Sequence, residues 1–247
     1  MFPHEKLQVY SRALDFTAQV AMLSSSWDTK HAVVDHFSRA AESIVLNLAE
    51  GARLSFGPMK LTSLDYALGS SLECAACLDI AHIKSLLAGP QFEHEKRRVC
   101  EITKMLVGLR RAWSDSSESV LREEHVQYPV AAEKSEAQPL FNHERLDIYR
   151  VSLDFVRWFV ALAPAQELTA PFRPVDKAAT SVVLNIAEGN GRYARLDHKR
   201  FLEIAQNPAV KAAAHLDLCV ARKVLTQADI SVGKGFLVRV GVMLSRM

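Results

Sequence analysis

Apolar residues recur along this chain at steps of three and four. Leu146, Tyr149, Leu153, Val156 and Val160 form one such stripe, and Leu7, Tyr10, Leu14 and Phe16 form another. A stripe of that period is the core-facing side of an amphipathic helix. In the second half of the chain a further helix is predicted through Ala178 to Ala187. Pro171 and Pro174 sit at its start, where proline costs least, and Gly189-Asn190-Gly191 follows as a stop signal. A third helix carries Phe201, Ile204, Ala205, Ala212, Leu216, Cys219, Val220 and Val224 inward. Pro208 interrupts its first half, so a kink is expected there. A fourth runs from about Asp229 to the end, with Phe236, Leu237, Val240 and Leu244 as its core residues. Short connections make successive helices antiparallel neighbours.

The pattern occurs twice. Phe2-Pro3-His4-Glu5-Lys6-Leu7-Gln8-Val9-Tyr10 returns as Phe141-Asn142-His143-Glu144-Arg145-Leu146-Asp147-Ile148-Tyr149, and Ser43 to Gly51 returns as Ser181 to Gly189. Leu78-Asp79 matches Leu216-Asp217, and Met105-Leu106 matches Met243-Leu244. A register held over so long a stretch means duplication of a whole domain rather than a solenoid repeat. The expected fold is all-α, two tandem up-down-up-down four-helix bundles over residues 1–113 and 141–247. Residues 114–140 are Ser-rich and acidic and read as a linker, open to proteolysis. The bundles are expected side by side as a pseudo-dimer joined through apolar faces, with further homo-oligomerisation.

Composition agrees with two real cores: 49% of the 247 residues are hydrophobic. No apolar run reaches membrane-spanning length, and the N-terminus lacks a signal-peptide pattern. The four cysteines (Cys74, Cys77, Cys100, Cys219) occupy no equivalent positions in the two copies, so a disulfide framework was not duplicated. A reduced, cytoplasmic setting is expected. Cys74 and Cys77 have the spacing of half a zinc site, but a second pair is missing and no metal is expected.

Charge separates the copies. Residues 1–113 carry 13 Lys/Arg against 12 Asp/Glu, residues 114–140 carry 2 against 6, and residues 141–247 carry 15 against 10. The second copy is net +5. Its cations Arg192, Arg195, Lys199 and Arg200 cluster at the junction of the second and third helices, a composition suited to phosphate contacts. In the first copy their places are taken by Leu54, Gly57, Leu61 and Thr62. The stretch Leu54 to Leu61, including Phe56, is apolar enough to expect burial against a neighbour.

The strings Asn47-Leu48-Ala49-Glu50-Gly51 and Asn185-Ile186-Ala187-Glu188-Gly189-Asn190-Gly191-Arg192, with Leu146-Asp147-Ile148-Tyr149 and Ala67-Leu68-Gly69-Ser70, resemble the bacterial four-helix bundle family of 23S rRNA intervening-sequence proteins. That family includes the accessory variability determinant of diversity-generating retroelements. The resemblance implies a bundle that associates into rings and carries no catalysis or cofactor. For the retroelement members it implies binding to nucleic acid and to a reverse transcriptase. Two departures stand out: Ala52-Arg53-Leu54 replaces the x-Gly-Arg of the pattern, and Asn207-Pro208 replaces its Gly-Ser.

Asn47, Glu50 and Gly51, and their equivalents Asn185, Glu188 and Gly189, share one helical face in each copy. Retention in both favours an architectural role over a ligand-binding one. No nucleophile triad, phosphate-binding glycine loop or duplicated carboxylate pair is present. Two functions follow: a non-enzymatic accessory protein binding RNA or DNA through the second copy, or an interaction scaffold docking a protein on the first.

Overall fold

The computed structural model describes residues 2–55, 57–115, 139–163 and 168–246; the side chains of Asp115 and Arg195 are outside that description. Most of the expected linker, residues 116–138, lies outside the described residues, and so does Phe56. Among the described residues there are eight α-helices: α1 (Gln8–Ser24), α2 (Ala32–Arg53), α3 (Pro58–Ile83), α4 (Gly89–Asp115), α5 (Asp147–Leu162), α6 (Arg173–Asn190), α7 (Arg195–Ala221) and α8 (Gln227–Leu244). A 3-10 turn precedes α1 (Pro3–Lys6) and another precedes α5 (Asn142–Arg145). No strand occurs among the described residues, and no helix among them is long and apolar enough to cross a membrane.

Each set of four packs as an up-down-up-down bundle, α1–α4 and α5–α8. The predicted stripes are buried in part. In α5 Tyr149, Leu153 and Val156 are buried while Leu146 and Val160 are half-buried, and the helix also buries Ile148, Val151, Phe155 and Phe159, because the second bundle packs on two of its sides. Leu14, Ile204 and Val224, expected inward, are exposed. In α2 the buried face is Val33, Phe37, Ala40, Ala41, Ile44 and Leu48. The third-to-fourth helix turns repeat in detail. Ser85 (φ 57°) and Lys223 (φ 58°) hold equivalent left-handed positions. Leu86 N–H donates to Ala81 O and Val224 N–H to Cys219 O, both at 2.9 Å, closing the same helix-ending motif. Helix α8 begins on Thr226, whose Oγ1 accepts from Asp229 N–H while Asp229 accepts from Thr226 N–H at 2.7 Å. Helix α7 runs unbroken through Pro208.

The two bundles share one continuous apolar core. Helix α3 lies antiparallel against α6 and also touches α5, while α2 reaches α6. A twofold pseudo-dimer would pair α2 with α7 as closely as α3 with α6. No comparable α2–α7 packing exists among the described residues. The joint is therefore head-to-tail. The α3–α4 side of the first bundle receives the α5–α6 side of the second, and the equivalent α7–α8 and α1–α2 sides face outward.

The tightest point of this joint is Gly191 against Gly69. A Cβ on Gly191 would lie 2.9 Å from Gly69 Cα. Gly191→Ala is expected to destabilise the chain by about 1–3 kcal/mol, because backbone must yield. Gly235→Ala, in the open on α8 with no neighbour within 4 Å, is expected to stabilise by about 0.5–1 kcal/mol. Urea unfolding of the two variants measures both.

Candidate functional site

The predicted cations separate. Lys199 and Arg200 stand exposed on the first turns of α7, Lys199 4.0 Å from Glu203. Arg195 opens that helix. Arg192 does not join them: it is 5% exposed. The close approach of Gly191 to Gly69 carries Arg192 into the joint. There its guanidinium pairs with Glu188 and stacks on Tyr66 (4.4 Å) and Phe201 (4.5 Å). The expected four-cation surface is thus corrected at Arg192, whose charge is used internally. The apolar stretch of the first copy is also corrected. Leu54 and Leu61 are only half-buried and Met59 is exposed. They end beside a junction that the other bundle approaches from the α3 side and does not cover.

The paired asparagines act locally. Asn47 Nδ2 donates to Ser43 O (2.8 Å) and Ser43 Oγ (3.0 Å). Asn185 Nδ2 does the same to Ser181 O (2.7 Å) and Oγ (3.2 Å). Ser43 Oγ continues the link to Ser70 Oγ on α3 at 2.7 Å. The glycines admit large neighbours: a Cβ on Gly51 would meet the Trp113 ring at 3.1 Å, and one on Gly189 would meet Phe201 Cβ at 2.8 Å. Glu188 is half-buried in the joint and held by Arg192, and burial together with the nearby Glu73 charge raises its pKa. Glu50, its equivalent, is exposed. Cys74 and Cys77 are free and fully buried in the first core, where burial raises both thiol pKa values well above the usual range.

A cluster of charged side chains lies in the joint. Lys96 of α4 is buried, with its ammonium 2.9 and 3.0 Å from the two oxygens of Asp79 and 2.5 Å from Glu144 Oε1. Tyr149 OH donates to Asp79 Oδ2 at 2.7 Å. Burial opposes the Lys96 charge, but Asp79 and Glu144 outweigh it and hold its pKa above the ordinary lysine value. Burial, and then Asp79, push the Tyr149 hydroxyl well above the ordinary range. His143 is completely buried, edge-on to the Tyr149 ring at 4.7 Å. Its pKa is driven well below 6.5, first by burial and then by Lys96. Asp79, His143 and Glu144 bring three ligand atoms within 4.8 Å of one another, yet the Lys96 ammonium already supplies the cation to both carboxylates. A second buried pair, Lys84 with Asp176, ties the other end, and Asp176 Oδ2 also accepts from Ala32 N–H at 3.1 Å. The joint is therefore ionic as well as apolar, which corrects the expectation of an apolar seam.

These residues are readable in the repeat. His4-Glu5 and His143-Glu144 match, Asp79 matches Asp217, and Lys96 matches Lys234. Sequence reasoning missed Lys96; the signal available was a cation and an acid retained together in both copies, while their burial and their partner from the other bundle were not visible.

The family model of the 23S rRNA-intervening sequence protein matches residues 5–108 and again residues 144–246. The chain belongs to that family, in tandem form. No curated protein and no solved structure matches it.

His143 generates a pH dependence. Its folded pKa lies below the unfolded value near 6.5, so the unfolded chain binds the proton first as pH falls. Stability is full above about pH 7 and declines below it, by at most about 1.4 kcal/mol per pH unit from this group. His143→Phe, which keeps a ring beside Tyr149, is expected to flatten that decline between about pH 7 and pH 5. Unfolding midpoints of parent and variant across that range measure it.

Proposed function

We propose that this member of the 23S rRNA-intervening sequence protein family is a non-enzymatic accessory protein that binds RNA or DNA through the phosphate backbone. The observation that carries the reading is the exposed pair Lys199 and Arg200 at the start of α7, beside Arg195, in the half of the chain with net charge +5. Up-down topology brings the end of α8, with exposed Arg246, to the same end of the bundle. The N-cap of α7 is Ala194, which offers its first-turn amides no side-chain acceptor. Free amides and cations at a helix start suit phosphate oxygens. The neighbouring acids Asp197 and Glu203 weaken the field of the cluster.

The cations Arg222 and Lys223 lie at the far end of α7, about 40 Å away along a helix of 27 residues. They belong to a separate surface. Arg192 makes no phosphate contact in this reading; its place is in the joint.

The scaffold reading keeps one observation of its own, the exposed apolar side chains Leu46, Met59, Val210 and Val238.

Affinity for labelled RNA and DNA at graded salt tests the first reading. Binding is expected to weaken steeply with salt, and replacing Arg195, Lys199 and Arg200 by Ala is expected to lower affinity across sequences alike. The salt slope should flatten by about 0.7–0.9 per lost phosphate contact, with the unfolding midpoint unchanged. A parent protein that binds neither polymer at about 50 mM salt, or a triple variant that binds as the parent does, overturns it in favour of the scaffold.

A further inference from the structure

Histidine is the side chain whose ordinary pKa puts its charge change near neutrality. Among the described residues two histidines are buried, His31 at 3% exposure and His143 at 0%. Both lie in the joint, at opposite ends of it. Each stands beside a buried lysine of the first bundle that is paired with an acid of the second.

At one end Lys84 of α3 pairs with Asp176 of α6, and Asp176 also accepts from the N–H of Ala32, the residue after His31. The charged groups acting on the His31 ring are Lys84, Asp176 and, from its own loop, Asp28 and Lys30. At the other end Lys96 of α4 bridges Asp79 of α3 and Glu144, the neighbour of His143. Oxygens of both acids lie within 4.8 Å of a His143 ring nitrogen, and the Tyr149 ring of α5 packs edge-on to it. His31 Nδ1 and both ring nitrogens of His143 are buried and find no hydrogen-bond partner among the described residues.

A neutral imidazole is tolerated in such a seam, but an imidazolium needs an acid. The acids in reach are already committed: Asp176 to Lys84, Asp79 and Glu144 to Lys96, and Asp28 to Lys30. A proton on either ring therefore sets a second cation beside a buried ammonium, and the two compete for the same carboxylates. Burial first, and the neighbouring lysine next, lower both histidine pKa values, that of His143 well below 6.5. Protons then bind the open form in preference, so the closed joint is favoured above about pH 6.5 and loses ground as pH falls. Glu188, midway along the joint, has the opposite sign: burial and Glu73 raise its pKa, so its protonation favours the closed state.

Away from the joint the two cores bury apolar side chains such as Phe16, Phe37 and Leu64, and Phe155, Phe159 and Ile186, on which protons have no hold. His4, the equivalent of His143 on the first bundle, is only half-buried. The arrangement thus belongs to the joint and not to the repeat.

We infer that the joint is a proton-sensitive latch: protons taken up by His31 and His143 release the Lys84–Asp176 and Lys96–Glu144 ties at its two ends, and the bundles part while each keeps its helices. Each histidine favours the open form by up to about tenfold per pH unit, and the two together by up to about a hundredfold. The inference is independent of nucleic-acid binding.

The four cysteines report on it in the full chain. Cys100 faces the joint, its thiol 3.9 Å from Leu140 O, while Cys74 and Cys77 lie in the first core and Cys219 lies in the second bundle. A pyridyl disulfide, which labels thiols in mild acid, is followed by mass spectrometry alongside circular dichroism. At about pH 5, Cys100 of the parent is expected to label at least about tenfold faster than in the His31→Phe/His143→Phe double variant. Cys74, Cys77 and Cys219 should stay protected and the helical signal unchanged. Should the phenylalanines lower the helical signal at about pH 8, the His31→Gln/His143→Gln pair, equally unable to take the proton, makes the same comparison. A Cys100 that labels equally in parent and variant, or four cysteines that become reactive together as the helices melt, would overturn the inference.

Discussion

A lysine ammonium buried between two carboxylates fixes how the halves of this protein meet. Removing an ion from water costs several kcal/mol, and one acid rarely compensates for it. Lys96 and Asp79 both come from the first bundle, so that bundle alone would leave the pair short of partners on one side. Glu144 and Tyr149 of the second bundle complete it. Apolar area alone tolerates sliding; a buried cation with a donor-specific shell does not. The Lys84–Asp176 pair makes the same demand at the far end of α3 and α6, and together the two pairs set both the register and the direction of the seam.

That direction is head-to-tail, which decides what the outer surface looks like. Under a twofold, duplication would have paired like faces and left none over. Here one copy of each face is used and one is left, with its ion pair, aromatic turn and apolar residues still in place. The position of the basic end follows from the same arrangement. Arg192, drawn inward by the glycine contact, serves the seam, while Lys199 and Arg200, a turn further on, stay in solvent.

Much of this was legible from the residues. The 3.6 period located the helices of the second copy and the first helix of the first, and the repeat carried the rest over, because core stripes and helix-ending turns are local and survive in both copies. Relations between the bundles were not legible. Gly191 reads as a helix stop and is also the point of closest approach; only the partner Gly69, remote in sequence, distinguishes the two. Arg192 reads as one more surface cation for the same reason. Glu144 beside a helix start reads as a favourable charge for the helix dipole, and its bond to Lys96 depends on a bundle orientation that no local pattern encodes. Leu54 and Leu61 read as buried because they are apolar, yet the seam forms on the other side of the junction.

The central claim is that Lys96 and Glu144 are energetically coupled across the seam. A double-mutant cycle in urea unfolding, with Lys96→Met, Glu144→Gln and the two combined, measures that coupling. Lys96→Met alone should cost up to about 3 kcal/mol, since it leaves two half-buried carboxylates facing each other without their cation. The double variant should be less destabilised than the sum of the singles by about 1 kcal/mol or more. Losses that add to within about 0.5 kcal/mol would show two independent sites and contradict the account.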